Sequence, residues 1–168
     1  MLQLPSADAS QGKDWQAALS AKAKELNIAL TIKLPCHRDW LACIHAMHAA
    51  EQPILLTGLS NPVQLLWAHS LKAQYVAPYI GRLANDGRDV WALMEACVAM
   101  QTNGPQLLAA SIKTPEVLAK LIACGAAAAT LPPASLVAWS GDALTDAAIA
   151  QFERDVASSL SRPTGQTK

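Results

Sequence analysis

Lys33 lies inside Ile28-Ala29-Leu30-Thr31-Ile32-Lys33-Leu34-Pro35, a run that otherwise reads as a buried β-strand closed by a proline. With alternating side chains, Ala29, Thr31 and Lys33 share one face and Ile28, Leu30, Ile32 and Leu34 the other, so the amine points with small neighbours toward an interior. Burial favours the neutral form of a lysine, and a neutral amine adds to a ketone to form a Schiff base. The plainer alternative is a lysine that ends an edge strand and extends its stem to water. His45 and His48 stand three apart on one predicted helix, with His37 and Glu51 nearby, a spacing that can bring two imidazoles toward one metal ion. Trp40, Ile44 and Met47 claim the buried face of that helix and no HExxH pattern occurs, so the histidines are read as solvated and no metal is expected. Cys36, three residues beyond Lys33, is a candidate thiol beside a cation, with packing as its simpler role.

The elements that must hold these residues are short apolar runs alternating with amphipathic segments, the pattern of βα units around a parallel sheet. Strands are predicted at residues 2–6, 29–34, 54–57, 74–78, 106–110 and 128–131. Between them Trp15, Leu19, Lys22 and Leu26, then Trp40, Ile44 and Met47, then Trp91, Met94, Glu95 and Val98 recur at helical spacing and are read as core faces. Ser60-Asn61-Pro62 and Thr114-Pro115 place a capping side chain before a proline at the first helical position, and Gly125 ends a helix before the last strand. A further helix spans residues 144–160, with Ala147, Ala148, Phe152, Val156 and Leu160 suited to packing. The domain expectation is one α/β partial barrel over residues 1–160 and a polar tail over 161–168.

Composition excludes several partners. Among 168 residues, 52% are apolar, and thirteen basic side chains balance thirteen acidic ones, so no electrostatic footprint for nucleic acid or an anionic membrane exists. No apolar run is long enough to span a bilayer. Cys36, Cys43, Cys97 and Cys124 show no zinc spacing and suit reduced thiols, which points to the cytoplasm. Gly104, Gly125 and Gly141 form no GxGxxG or P-loop, so no nucleotide cofactor is expected.

Three segments together resemble the fructose-6-phosphate aldolase branch of the transaldolase family: Thr31-Ile32-Lys33-Leu34-Pro35, Gln74-Tyr75-Val76-Ala77-Pro78-Tyr79-Ile80-Gly81-Arg82, and Ala109-Ala110-Ser111-Ile112-Lys113-Thr114-Pro115. Ala129-Thr130-Leu131-Pro132 and Ile149-Ala150-Gln151-Phe152-Glu153 add weaker agreement in the same register. The resemblance implies a TIM (β/α)8-type barrel, here with about six strands and the first two βα units absent. It implies a metal-free class I aldolase or transaldolase-like activity on small hydroxyketones and sugar phosphates such as fructose 6-phosphate, with Lys33 as the Schiff-base residue. Tyr79 matches the acid/base tyrosine, Thr57 and Gln3 the partners that hold a proton-relaying water, and Arg82 and Ser111 the phosphate-binding positions. The family's first two strands supply an aspartate and an asparagine that have no counterpart from Met1 onward. That motivates an alternative, a catalytically impaired remnant or partner-dependent subunit, assembled as a homo-oligomer or with a chain that supplies the missing strands. Gly81 stands where asparagine is usual, residues 83–89 replace a glycine-rich loop, and Leu56 and the segment Gly58-Leu59-Ser60 alter the pocket wall beside Thr57.

Overall fold

The computed structural model describes residues 1–4 and 8–161, in two compact units, Met1–Thr130 and Leu131–Lys168. The first unit contains a parallel sheet of six strands among the described residues: β1 Leu2–Gln3, β2 Ile32–Pro35, β3 Ile54–Thr57, β4 Tyr75–Ala77, β5 Gln106–Ala109 and β6 Ala128–Ala129. The strands lie side by side in chain order, each paired in parallel with the next. Parallel neighbours need a crossover of a dozen or more residues, and the helices α1 Ala9–Glu25, α2 Leu41–Ala49, α3 Pro62–Ser70, α4 Ile80–Asn85, α5 Val90–Met100 and α6 Pro115–Cys124 supply it. The sheet is open, with β1 and β6 at its edges and exposed. It is the α/β architecture expected of a TIM-type barrel, with six of the eight strands a closed one requires.

Every predicted strand is present, most of them shorter than expected. The strand at residues 54–57 has its predicted ends, and all four of its side chains are buried, as a central parallel strand covered on both faces requires. The run at 29–34 starts late. Ile28 is 59% exposed, and Ile28 N–H instead donates to Ala23 O at 2.9 Å, closing the turn after α1 rather than entering the sheet. Ser6, the predicted end of the first strand, lies outside the described residues. Helix punctuation follows the predicted chemistry: Asn61 and Thr114 accept from Gln64 N and Val117 N, and Gly125 ends α6 at φ 92°, a left-handed conformation open to glycine without a Cβ penalty.

The core lies between β2–β5 and the helices. Ile32, Leu34, Ile54, Leu56, Val76, Leu107 and Ala109 occupy one face of the sheet and are almost wholly buried, with Ile44, Met47, Leu65, Met94 and Leu121 from the helices also in the core. The core face predicted for α1 is corrected: Trp15 and Leu26 are about half exposed, whereas Gly12 and Ala23 are buried. A Cβ at Gly12 would stand 2.8 Å from Cys43 Sγ, so α1 approaches α2 more closely than a tryptophan stripe permits. Beside that contact Gln16 and Ser20 both donate to Gln52 Oε1, and the buried Gln52 donates to Leu30 O at 2.9 Å, a polar seam that uses the buried amide fully.

The second unit holds α7 Pro133–Ser140 and α8 Ala143–Leu160, the latter capped by Asp142 accepting from Leu144 N and Thr145 N. Phe152, Val156 and Leu160, expected to pack, are 66%, 58% and 82% exposed. Of the predicted tail, residues 162–168 lie outside the described residues. Among the described residues no helix is long and apolar enough to cross a membrane.

Candidate active site

Strand register brings the chemistry-bearing residues onto one face. Gln3 pairs with Lys33, Lys33 with Leu55, and Leu55 with Tyr75, while Thr57 pairs with Pro35 and Ala77. Because paired residues of a parallel sheet point the same way and side chains alternate along each strand, Gln3, Lys33, Thr57 and Ala77 all face away from the helix-covered core. Tyr79, two residues beyond Ala77, bridges to Ala110 and sits at the C-terminal ends of the strands. Lys33 is half-buried on this face, between Ile32 and Leu34, which are wholly buried on the other.

The side chains converge around the Tyr79 ring. Lys33 Nζ lies 5.4 Å from the ring centroid and Arg82 Cζ 4.6 Å from it, so a phenol is flanked by two cations. Thr57, buried, donates its hydroxyl to Ala77 O at 3.2 Å and stands beside Tyr79. Burial works against ionising the Tyr79 phenol, but hydrogen bonds with Thr57 and Lys33 and the charges of Lys33 and Arg82 outweigh it, and its pKa lies below the usual tyrosine value. A phenol so placed gives up and regains a proton more readily than a free one.

Ser111 is brought to the same end of the sheet by a different device. Its φ is 61°, left-handed for a non-glycine residue, and Gly81 N–H donates to its carbonyl at 3.1 Å. Gly81 is what lets α4 come so near: a Cβ there would lie 2.9 Å from Ser111 O and 3.0 Å from both Ser111 Oγ and Lys113 Cε. The glycine that stands where asparagine was expected is therefore the residue the packing requires. Arg82 follows it directly, which sets the guanidinium and the Ser111 hydroxyl on neighbouring segments. Gln3 is exposed on edge strand β1, in register with Lys33.

Against Tyr79 and Arg82 opens a cleft of about 300 Å³, walled on one side by Gly58, Leu59 and Ser60 after β3 and on the other by Leu83, Asp86 and Arg88. Asp86 and Arg88 carry no role in the sequence reading; the signal was the polar Asp86-Gly87-Arg88 stretch shortly after a strand end, in the loop already marked as unusual. Gln64 was also missed. It accepts from Ser60 N at 2.7 Å and donates to Cys36 O at 2.7 Å, joining the loop after β3 to the end of the Lys33 strand. Cys36 itself is packing, not a reactive thiol: it is buried, its Sγ donates to Gln64 O, and burial pushes its pKa up to about 11. His45 and His48 are exposed, and among the described residues no group of three or more His, Cys, Asp or Glu is placed to hold a metal ion.

Parallel βα units with a cluster of polar side chains at the strand C-termini define a protein of the (β/α)-barrel class. The profile of the Transaldolase/Fructose-6-phosphate aldolase family matches residues 10–164, and the chain belongs to that family. It is similar to a probable transaldolase of Halalkalibacterium halodurans, 32% identical over 129 residues, which cover 75% of this chain and 61% of that one. A probable transaldolase of Clostridium kluyveri matches at 32% over 129 residues, 75% of this chain and 60% of the relative. With a probable transaldolase of Caulobacter vibrioides the identity is 31% over 157 residues, 92% of this chain and 70% of the relative. The chain thus spans 61% and 60% of the first two relatives' lengths.

Proposed function

We propose that this chain carries out class I aldolase or transaldolase chemistry on a ketose phosphate, with Lys33 as the covalent residue. The observation that carries the reading is the half-buried Lys33 amine on the open face of the sheet, 5.4 Å from the Tyr79 ring and with Arg82 on the same ring. In its neutral form the amine adds to the ketone carbonyl, water leaves, and an iminium forms. The bond between the α- and β-carbons then breaks: the β-hydroxyl gives up its proton to a base, its carbon departs as an aldehyde, and the bonding pair enters the iminium to leave an enamine. Protonation of the enamine carbon and hydrolysis release a shorter ketone and the free lysine. Attack of the same enamine on another aldehyde instead gives transfer.

Tyr79 is the acid and base in this scheme, and its lowered pKa supports that role. Thr57 and, from the edge strand, Gln3 would hold a water that carries the proton between phenol and substrate. Arg82 and Ser111 would receive the phosphate, a planar fork of donors beside a hydroxyl. The exposed edges of β1 and β6 favour a second reading, in which the site becomes fully competent only when further βα units pair with those edges.

The experiment is intact-mass analysis after borohydride reduction in the presence of hydroxyacetone, dihydroxyacetone or fructose 6-phosphate, with peptide mapping. The expected result is one adduct, on Lys33, absent from a folded Lys33→Ala variant. An adduct of undiminished yield in that variant overturns the assignment. A Lys33 adduct without turnover supports the second reading.

A further inference from the structure

Gln64 takes no part in the scheme above, yet its side chain closes a ring of hydrogen bonds around Thr57. The ring starts at the end of the Lys33 strand, where Cys36 N donates to Thr57 O at 2.8 Å, follows the chain from Thr57 to Ser60, and returns through the Gln64 amide. Gln64 Oε1 accepts from Ser60 N at 2.7 Å and from the Ser60 hydroxyl and Asn61 Nδ2, each at 3.2 Å, while Nε2 donates to Cys36 O at 2.7 Å. Helix α3 holds the amide in place, its cap Asn61 accepting from Gln64 N at 3.1 Å. Inside the ring, Gly58 N and the Thr57 hydroxyl both donate to Ala77 O, at 3.0 and 3.2 Å, which ties the turn to β4.

Packing does not fix this turn at Gly58, which adopts a left-handed φ of 75° with open space where a Cβ would stand. Leu59 anchors the middle of the turn in the core, and the Gln64 bonds hold its far end. Capping of α3 accounts for the contacts with Ser60 and Asn61, but not for the reach to Cys36, twenty-eight residues back and three beyond Lys33. That bond joins the strand of the amine to the turn that follows Thr57. We propose that Gln64 is a positioning residue for the reaction: by clamping Cys36 to Ser60 it holds the Thr57 hydroxyl on the Tyr79 phenol, and so governs proton transfer rather than capture of the ketone. The Thr57 hydrogen bond is one of the interactions that lower the Tyr79 pKa, which gives the arrangement an optical signature independent of turnover. This inference rests on the reading of Tyr79 as the acid and base.

The test uses the full chain with Tyr75→Phe as parent, so that tyrosinate absorbance reports Tyr79, and hydroxyacetone in deuterated water as the probe. Its iminium on Lys33 loses an α-proton to the base, and the resulting enamine takes up a deuteron. Gln64→Met removes every side-chain bond at similar length, whereas Gln64→Glu keeps the acceptor for Ser60 but sets an oxygen against Cys36 O until the carboxyl is protonated. In Gln64→Met the Tyr79 titration should move upward and α-proton exchange should fall by about tenfold or more, while the borohydride-trapped Lys33 adduct stays within about twofold. Exchange by Gln64→Glu, relative to the parent, should recover as pH falls toward about 5. Gln52→Met, which removes a buried amide at the other end of β3, should show neither effect. A Tyr79 titration unmoved by Gln64→Met, equal losses of exchange and adduct, or the same changes in Gln52→Met overturns the proposal alone. Where Gln64→Met does not fold, the Gln64→Glu profile decides, and absence of recovery overturns the proposal. Exchange indifferent to Tyr79→Phe, or no exchange by the parent, overturns the acid and base reading and the proposal with it.

Discussion

Gly81→Ala isolates the contact that positions Ser111. At this point α4 meets the segment after β5 backbone to backbone, with Ile80 N donating to Ala110 O at 3.0 Å and Gly81 N to Ser111 O at 3.1 Å. An added methyl would be 2.9 Å from Ser111 O, against about 3.4 Å for an ordinary contact, a shortfall of about 0.5 Å. The obstacle is a main-chain oxygen, and Ser111 already sits at φ 61°, so the segment cannot yield at no cost. Overpacking costs about 1–3 kcal/mol, and against a main-chain oxygen the upper part of that range, about 2–3 kcal/mol, applies; alanine recovers about 1 kcal/mol of helix propensity, which leaves a net loss of about 1–2 kcal/mol. With a urea slope of about 2 kcal/mol per molar, the unfolding midpoint should fall by about 0.5–1 M. Affinity for a phosphate ligand should fall as well, because the Ser111 hydroxyl moves with its backbone. Asparagine at the same position should be worse on both counts. A Gly81→Ala protein as stable as wild type, with phosphate affinity intact, would refute the close-packing argument and make Gly81 an incidental substitution.

Two further outcomes follow from the titrating groups. The chain has two tyrosines, so in a Tyr75→Phe background the tyrosinate absorbance reports Tyr79 alone; it should titrate below the ordinary value of about 10, and Lys33→Met should move it upward. A depressed folded-state pKa stabilises the native state above the unfolded value and loses that contribution as pH falls through the folded value, so this group adds stability only at alkaline pH. An unmoved titration in Lys33→Met would show that the ammonium does not reach the phenol. Burial holds Cys36 near 11 and Cys97 near 12, so at mildly alkaline pH iodoacetamide should label the half-buried Cys124 first and spare both until unfolding. Early labelling of Cys36 would reverse its assignment to the core.

How much of this was legible in the chain depends on what each signal measures. Alternation in residues 29–34 put Lys33 on the face away from Ile32 and Leu34, and the register bears this out because a parallel sheet preserves side-chain parity from strand to strand. Asn61-Pro62, Thr114-Pro115 and Gly125 marked helix ends correctly, since capping is a local transaction between a side chain and nearby backbone groups. The buried face of α1 was not legible. Periodicity weighs hydrophobicity, and it favoured Trp15 and Leu26, while the closeness of α2 selects Gly12 and Ala23.

Residue types and their spacing, together with motif resemblance, therefore determined the family, the order of βα units and the places of Lys33 and Tyr79 on their strands, because those features reside in short stretches of chain. The tertiary structure alone decided which residues share the cleft. Arg88 pairs with Asp86 yet also reaches Ser60, twenty-eight residues away, and Gln64 bonds Cys36 across the same separation. Whether Arg88 is a free cation or a neutralised strut, and whether position 81 tolerates a side chain, is set by distances between loops that only folding brings together.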